Sequence, residues 1–213
     1  MGGGAVESPF RDTAGVSLIE TLLWDGAAFP RLAGHMARLA AGAVALGRPC
    51  AGAEAALVAA VAPGVPARVR LTLDDKGRVA VTVAALPPSP PVWRLGLAGA
   101  RLASGDPWLR VKSTRRAAYD AARAALAPGL DEVVFLNERD EVCDGTITTL
   151  FFDAGQGLAT PPLTSGLLPG VLRAGMLASG HCHEAVLPGA DLPHVRLWVG
   201  NALRGLMPAT WAG

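Results

Sequence analysis

Hydrophobic positions recur along this chain with two different periods. In "RVRLTL", Val69, Leu71 and Leu73 alternate with polar residues, and in "RVAVTVAAL", Val79, Val81 and Val83 do the same. A period of two puts each set on one face of a strand. The polar turn Asp74-Asp75-Lys76-Gly77 between them predicts a β-hairpin with a solvated tip. In "FPRLAGHMARLAAGAVALG" the spacing of Leu32, Met36, Leu39 and Val44 is helical and predicts a helix from Arg31 to Leu46. A strand over 16–23 is expected before it, and a second helix over 53–61 after it. Beyond residue 91 the pattern is mostly strands, at 92–102, 132–136, 147–152, 184–187 and 195–199. Helices are expected there at 115–127 and 170–179. The run "LPPSPP" at 86–91 separates the two regions, because consecutive prolines continue neither a helix nor a central strand. The expectation is an α+β chain of two domains. A small one spans 1–86, a proline-rich linker 87–91, and a larger strand-rich one 92–213.

Composition narrows the function classes. The chain is 51% hydrophobic and 17% charged, with a net charge of +1, so neither nucleic acid nor an anionic membrane is expected as a partner. It contains no apolar run of about 18 residues. "MGGGAVESPF" has no basic segment leading into an apolar core, so no secretory signal is expected. Cys50, Cys143 and Cys182 are scattered and odd in number, which favours a reduced, cytoplasmic protein with free thiols. His181 and His183 share a strand face but lack a third ligand, so no metal site is expected.

The choice of basic residue carries more information. Of 19 basic residues only Lys76 and Lys112 are lysines. An arginine guanidinium keeps its proton at neutral pH, whereas a lysine amine can lose it. Lys76 belongs to the hairpin tip. Lys112 lies between an apolar stretch, read as extended, and an alanine-rich helix, with Arg110, Arg115 and Arg116 nearby. Cationic neighbours favour its neutral, nucleophilic form. In "LNERDEVCDGTITTLFF", extended backbone would aim Asp144 to the same inner face as Val142, where an acid needs a partner. In "TPPLTSGLLPGVLRAGMLASG", Gly170 opens a helix whose free N–H groups form an anion site. Arg31 stands in the first turn of the earlier helix, where positive charge opposes the dipole and a bound phosphate would explain it. A lysine, a lone acid and a phosphate cradle together suggest pyridoxal phosphate. Its aldehyde, ring nitrogen and phosphate need those three groups.

The chain resembles the class IV aminotransferases, the fold-type IV pyridoxal-phosphate enzymes. The resemblance runs from Ser17 to Pro208 and is carried by "ETLLWDGAAFPRLAGHMARLAAGAVALG", "VKSTRRAAYDAARAAL", "DEVVFLNERDEVCDGTITTLFF", "TPPLTSGLLPGVLR" and "NALRGLMPA". It implies a two-domain fold with a barrel-like second domain, and a homodimer acting on a small molecule. It implies Lys112 as the Schiff-base lysine and Arg31 as a phosphate ligand. Gly170, Val171 and Leu172 would bring backbone amides to the phosphate, and Asn201 and Ala202 would complete the cofactor site. Asp144 stands where the family usually has glutamate against the ring nitrogen. Thr148 and Thr149 replace a frequent Ser-Asn pair, and "ESPFRDTAG" replaces a Gly-Asp-Gly stretch.

The family contains transaminases for branched-chain and D-amino acids as well as 4-amino-4-deoxychorismate lyase. "NALRGLMPA" resembles the lyase's Asn-[Ala/Ser]-Leu run, and Thr21 falls where lyases carry a threonine beside the reacting centre. The resemblance therefore implies a lyase releasing 4-aminobenzoate and pyruvate, with Lys112 moving protons and Thr21 assisting. A transaminase and a paralogue without activity are the alternatives.

Overall fold

The computed structural model describes residues 9–213. The reading of the first eight residues lies outside them.

A three-stranded antiparallel sheet of order β1-β2-β3 is formed by β1 (Leu18–Trp24), β2 (Ala67–Leu73) and β3 (Val79–Ala84). The alternation read from the sequence is its pleat. Ala67, Val69, Leu71 and Leu73 are buried, while Arg68 and Arg70 are exposed on the opposite face. On the buried face, α1 (Leu32–Ala45) and α2 (Ala53–Ala60) pack through Leu39, Ala43, Ala53 and Leu57 against Leu18, Leu22 and Trp24. Along β3, Val79 and Val81 pack against this core, whereas Val83 near the end of the strand is exposed.

A second sheet begins after the prolines. It contains β4 (Trp93–Leu102), β5 (Glu132–Asn137), β6 (Val142–Gly145), β7 (Thr149–Asp153), β8 (Ala159–Thr160), β9 (His183–Glu184), β10 (Arg196–Asn201) and β11 (Gly205–Trp211). Their order is β6-β5-β4-β11-β10-β7-β8-β9. The core on one side of it joins Trp93, Leu95, Val134, Leu150, Leu197 and Val199. Helix α3 (Ala117–Ala124) covers Val133 and Phe135 through Tyr119 and Ala122. Helix α4 (Val171–Ala178) packs Leu172 on Phe151.

Several elements differ from the sequence reading; the short strands β6 and β8 are additions to it. The stretch before Lys112 is not extended but a 3₁₀ turn, Pro107–Arg110, in which the Asp106 side chain accepts from the Trp108 N–H at 2.9 Å. Pro107 suits the first position of such a turn, having no N–H to lose. The expected strand at 184–187 is reduced to His183–Glu184, a two-residue pairing with β8. β11 is unexpected, since Pro208 interrupts it. It forms nonetheless, because its parallel ladder with β4 begins at Ala209, one residue after the missing N–H.

Candidate active site

Lys112 is held by the first sheet although it follows the second sheet's β4. Its carbonyl accepts from the Ile19 N–H at 2.9 Å, and the Thr114 N–H donates to the Ser17 carbonyl at 2.8 Å. This short pairing lays residues 112–114 along β1. Thr21 lies on the β1 face opposite Leu18, Leu22 and Trp24, as the period of two requires. Lys112 and Thr21 thereby line one cleft of about 570 Å³, together with Asp144, Gly170, Val171, Leu172, Asn201 and Ala202. A cleft of that size suits a cofactor-sized ligand.

The electrostatics of the cleft act on the amine. Burial lowers the Lys112 pKa from 10.5 to about 8, with Arg38 and Arg116 adding to the effect and Glu20 and Asp144 opposing it. Close to neutral pH most of it is still charged, and about a tenth is the free amine. Burial also raises the Asp144 carboxyl well above its ordinary value, helped by Glu132 and opposed by Lys112. Its Oδ1 is buried and has no hydrogen-bond partner among the described residues. Such an atom costs about 1–3 kcal/mol unless something supplies the missing bond.

Helix α4 starts on the cleft wall at Gly170, with no side chain capping it. Its first N–H groups and dipole favour an anion. Two close approaches make this end available. A Cβ on Gly170 would lie 2.8 Å from Thr149 Oγ1, so any side chain there would push the turn off β7. A Cβ on Gly34 would lie 2.8 Å from Val171 Cγ1, so α1 must carry glycine to sit against α4.

That contact between helices decides which arginine reaches the site. Arg31 lines a separate cavity of about 750 Å³ beside α1, and its Nη1 donates to the Ala202 carbonyl at 3.2 Å. Arg38, two turns further on, lines both that cavity and the cleft holding Lys112. It donates to the Pro169 carbonyl at 3.2 Å, next to the α4 start, and to Glu20 through Nε at 2.8 Å and Nη2 at 2.5 Å. Burial would raise the Glu20 carboxyl, but hydrogen bonds from Arg38 and His35 outweigh it and hold it below its ordinary value. His35 is buried and has Nδ1 2.6 Å from Glu20 Oε2. Arg38 is thus the guanidinium beside the helix start, the place expected of Arg31. The helical period placed both residues on α1 but held no information about what α1 would face.

Glu132 was also missed. It is fully buried and accepts from the N–H groups of Val133, Thr146 and Ile147 and from the hydroxyls of Thr146 and Thr148. These bonds shape the turn that follows Asp144. An acid inside an apolar strand was the available signal. Asn201 accepts through its side-chain oxygen from the N–H groups of Leu203 and Arg204, which closes the β10–β11 turn.

A family model described as amino-transferase class IV matches residues 17–211. A Schizosaccharomyces pombe protein, provisionally named an aminodeoxychorismate lyase, is 31% identical over 182 residues, covering 79% of this chain and 76% of that protein. The crystal structure of a Mesorhizobium loti protein, provisionally named an amino-acid aminotransferase, matches with a TM-score of 0.87 at 42% identity, covering 92% of this chain and all of that one (100%). The 4-amino-4-deoxychorismate lyase of Pseudomonas aeruginosa shares the fold, with a TM-score of 0.79 at 22% identity over 92% of this chain and 82% of its own. The strand-rich curled sheet, with helices beside it, is that of the fold-type IV pyridoxal-phosphate enzymes. The chain belongs to the aminotransferase class IV family, whose members are pyridoxal-phosphate-dependent enzymes.

Proposed function

We propose that this protein is a pyridoxal-phosphate-dependent lyase that converts 4-amino-4-deoxychorismate to 4-aminobenzoate and pyruvate. The observation that supports pyridoxal phosphate is the pairing, in one cleft, of a lysine amine lowered to about 8 with an acid whose Oδ1 lacks a partner among the described residues; the choice of a lyase rests on Thr21 in that cleft and on the run "NALRGLMPA". The residues fit the cofactor. Lys112 would hold the aldehyde carbon, and Asp144 Oδ1 would find its missing partner in the ring nitrogen. The α4 start with Arg38 would hold the phosphate. Asp144 is one methylene shorter than the glutamate usual in the family, yet its buried carboxyl would still be able to share a proton with a ring nitrogen. When bound, pyridoxal phosphate supplies an electron sink to the carbon that bears the substrate amine.

The remaining chemistry belongs to the chain. The Lys112 amine, when not bonded to the cofactor, would serve as general base. It takes the proton from the ring carbon bearing nitrogen. The carbon–oxygen bond to the enolpyruvyl group then breaks. The leaving enol collects a proton, for which Lys112 is the donor, and departs as pyruvate. The aromatic ring of 4-aminobenzoate supplies the driving force. The Thr21 hydroxyl would assist by hydrogen bonding at this centre, a role supported by its place in the lining of the same cleft. We propose a homodimer as its working form, on the family resemblance.

A transaminase is the second reading, favoured by the 42% identity with the Mesorhizobium loti protein named for that activity. One experiment separates them. Purified protein with pyridoxal phosphate is reduced with borohydride and digested, and Lys112→Ala is the control. A pyridoxyl adduct on Lys112 of the wild type alone is expected, and an adduct elsewhere refutes the site. Equal yields of 4-aminobenzoate and pyruvate support the lyase. Conversion of the cofactor to its amine form by amino acids, without those products, replaces it with the transaminase.

A further inference from the structure

The cleft carries more positive charge than the cofactor accounts for. Six arginines line it, against two carboxyls, Asp106 and Asp144. Four of the six are already engaged. Arg38 bonds Glu20, Arg116 bonds Asp120, Arg123 lies 3.5 Å from Glu132, and Arg115 sits over the Trp108 ring and donates to the Arg11 carbonyl. The remaining two are Arg68 on the cleft face of β2 and Arg204 in the β10–β11 turn. Among the described residues, neither has a carboxylate partner. Arg204 is the more telling. Its Nε is buried without a hydrogen-bond partner, and its guanidinium carbon lies 5.6 Å from the centre of the Trp93 ring.

These arginines form a group of their own. Burial lowers the Arg204 pKa, and the like charges that add to this are Arg123 and Arg68. The charges acting on Lys112 are a different set, namely Arg38, Glu20, Arg116 and Asp144. Like charges brought together in a partly desolvated wall repel one another, and a buried N–H without an acceptor adds to the cost. An anion between them removes both penalties. Planar guanidinium groups bind a carboxylate through paired hydrogen bonds, and a neighbouring aromatic ring restrains their orientation.

We propose that Arg68 and Arg204 form a carboxylate anchor, separate from the phosphate end at Gly170, that selects substrates bearing two carboxylates. The proposal rests on the lyase reading, whose substrate carries one carboxylate on the ring and another on the enolpyruvyl arm. It deepens that reading by naming the residues that distinguish this dianion from an ordinary amino acid. Arg123 borders the anchor and is held in place by the Asp131 carbonyl at 2.9 Å.

The test uses the holoenzyme and two unreactive probes, the dianion 3-(carboxymethoxy)benzoate and the monoanion 3-methoxybenzoate, titrated by calorimetry. The wild type is expected to prefer the dianion by about tenfold or more, since charge-assisted hydrogen bonds contribute about 1.5–3 kcal/mol. Arg204→Gln and Arg68→Gln are each expected to remove most of that preference while leaving the visible absorption of bound cofactor unchanged. In turnover, KM should rise and kcat should stay close to the wild-type value. Arg68 is exposed on β2, so its variant keeps the test alive if Arg204→Gln fails to fold. A wild type without preference, or variants that keep it, overturns the anchor and returns both arginines to a solvated wall. If no 4-aminobenzoate is formed yet the dianion preference persists and is lost in the variants, the lyase reading falls and the anchor stands. If product forms with unchanged KM in both variants, the anchor falls and the lyase stands.

Discussion

Removing the amine on which the chemistry depends should make the cofactor-free protein more stable. Burial holds the Lys112 pKa at about 8 in the fold, against 10.5 for an ordinary lysine. The difference of about 2.5, at about 1.4 kcal/mol per pKa unit, corresponds to about 3 kcal/mol by which the fold disfavours the charged side chain. Below pH 8 the side chain is protonated in both states, so this cost is present in full. Between 8 and 10.5 the unfolded chain still holds the proton and the fold has released it, so stability rises with pH. Lys112→Met keeps the length of the side chain and removes the charge. Relaxation and water penetration reduce the gain, so the variant is expected to be about 1–3 kcal/mol more stable near pH 7. Urea unfolding of both cofactor-free proteins at about pH 7 and about pH 9.5 measures it, and the advantage should shrink at the higher value. A variant less stable than wild type near neutral pH, or an advantage that does not change with pH, refutes the account of a desolvated amine. Added pyridoxal phosphate should then reverse the order, because only the wild type gains a covalent partner.

The other predictions concern the groups around that amine. Arg38→Met should weaken pyridoxal phosphate binding by about 10–100-fold with little change for pyridoxal itself, while Arg31→Met leaves both nearly unchanged. An absorption titration of the four combinations checks this, and the reverse ranking would return Arg31 to the phosphate. Gly170→Ala places a methyl 2.8 Å from Thr149 Oγ1 and should cost about 1–3 kcal/mol in urea unfolding, along with phosphate affinity. Glu132→Gln turns an acceptor of five hydrogen bonds into a group with two donors of its own. It should cost about 2–4 kcal/mol in urea unfolding, and Asp144 should titrate lower once the neighbouring charge is gone.

What could be read without coordinates was local. The pleat of β2, the helical spacing of α1 and the helix start at Gly170 follow from residues within a turn or a hairpin of one another. The same holds for the rarity that singled out Lys112. Each depends on a period or on a residue's intrinsic chemistry, both of which survive in the linear chain. The union of these pieces was not local. Lys112 reaches Thr21 because residues 112–114 pair with β1, nearly a hundred residues earlier, through bonds that no period announces. Arg38 bonds the Pro169 carbonyl beside the helix start, where Gly34 lets α1 settle against Val171. β11 escaped notice because a proline inside it is harmless only given where β4 begins to pair. The alternating arginines of "RVRLTL" declared a polar face, and only the tertiary structure made one of them, Arg68, part of the wall of a cleft. Backbone pattern determines which way a side chain points, whereas what it meets there is decided by contacts between segments far apart in the chain.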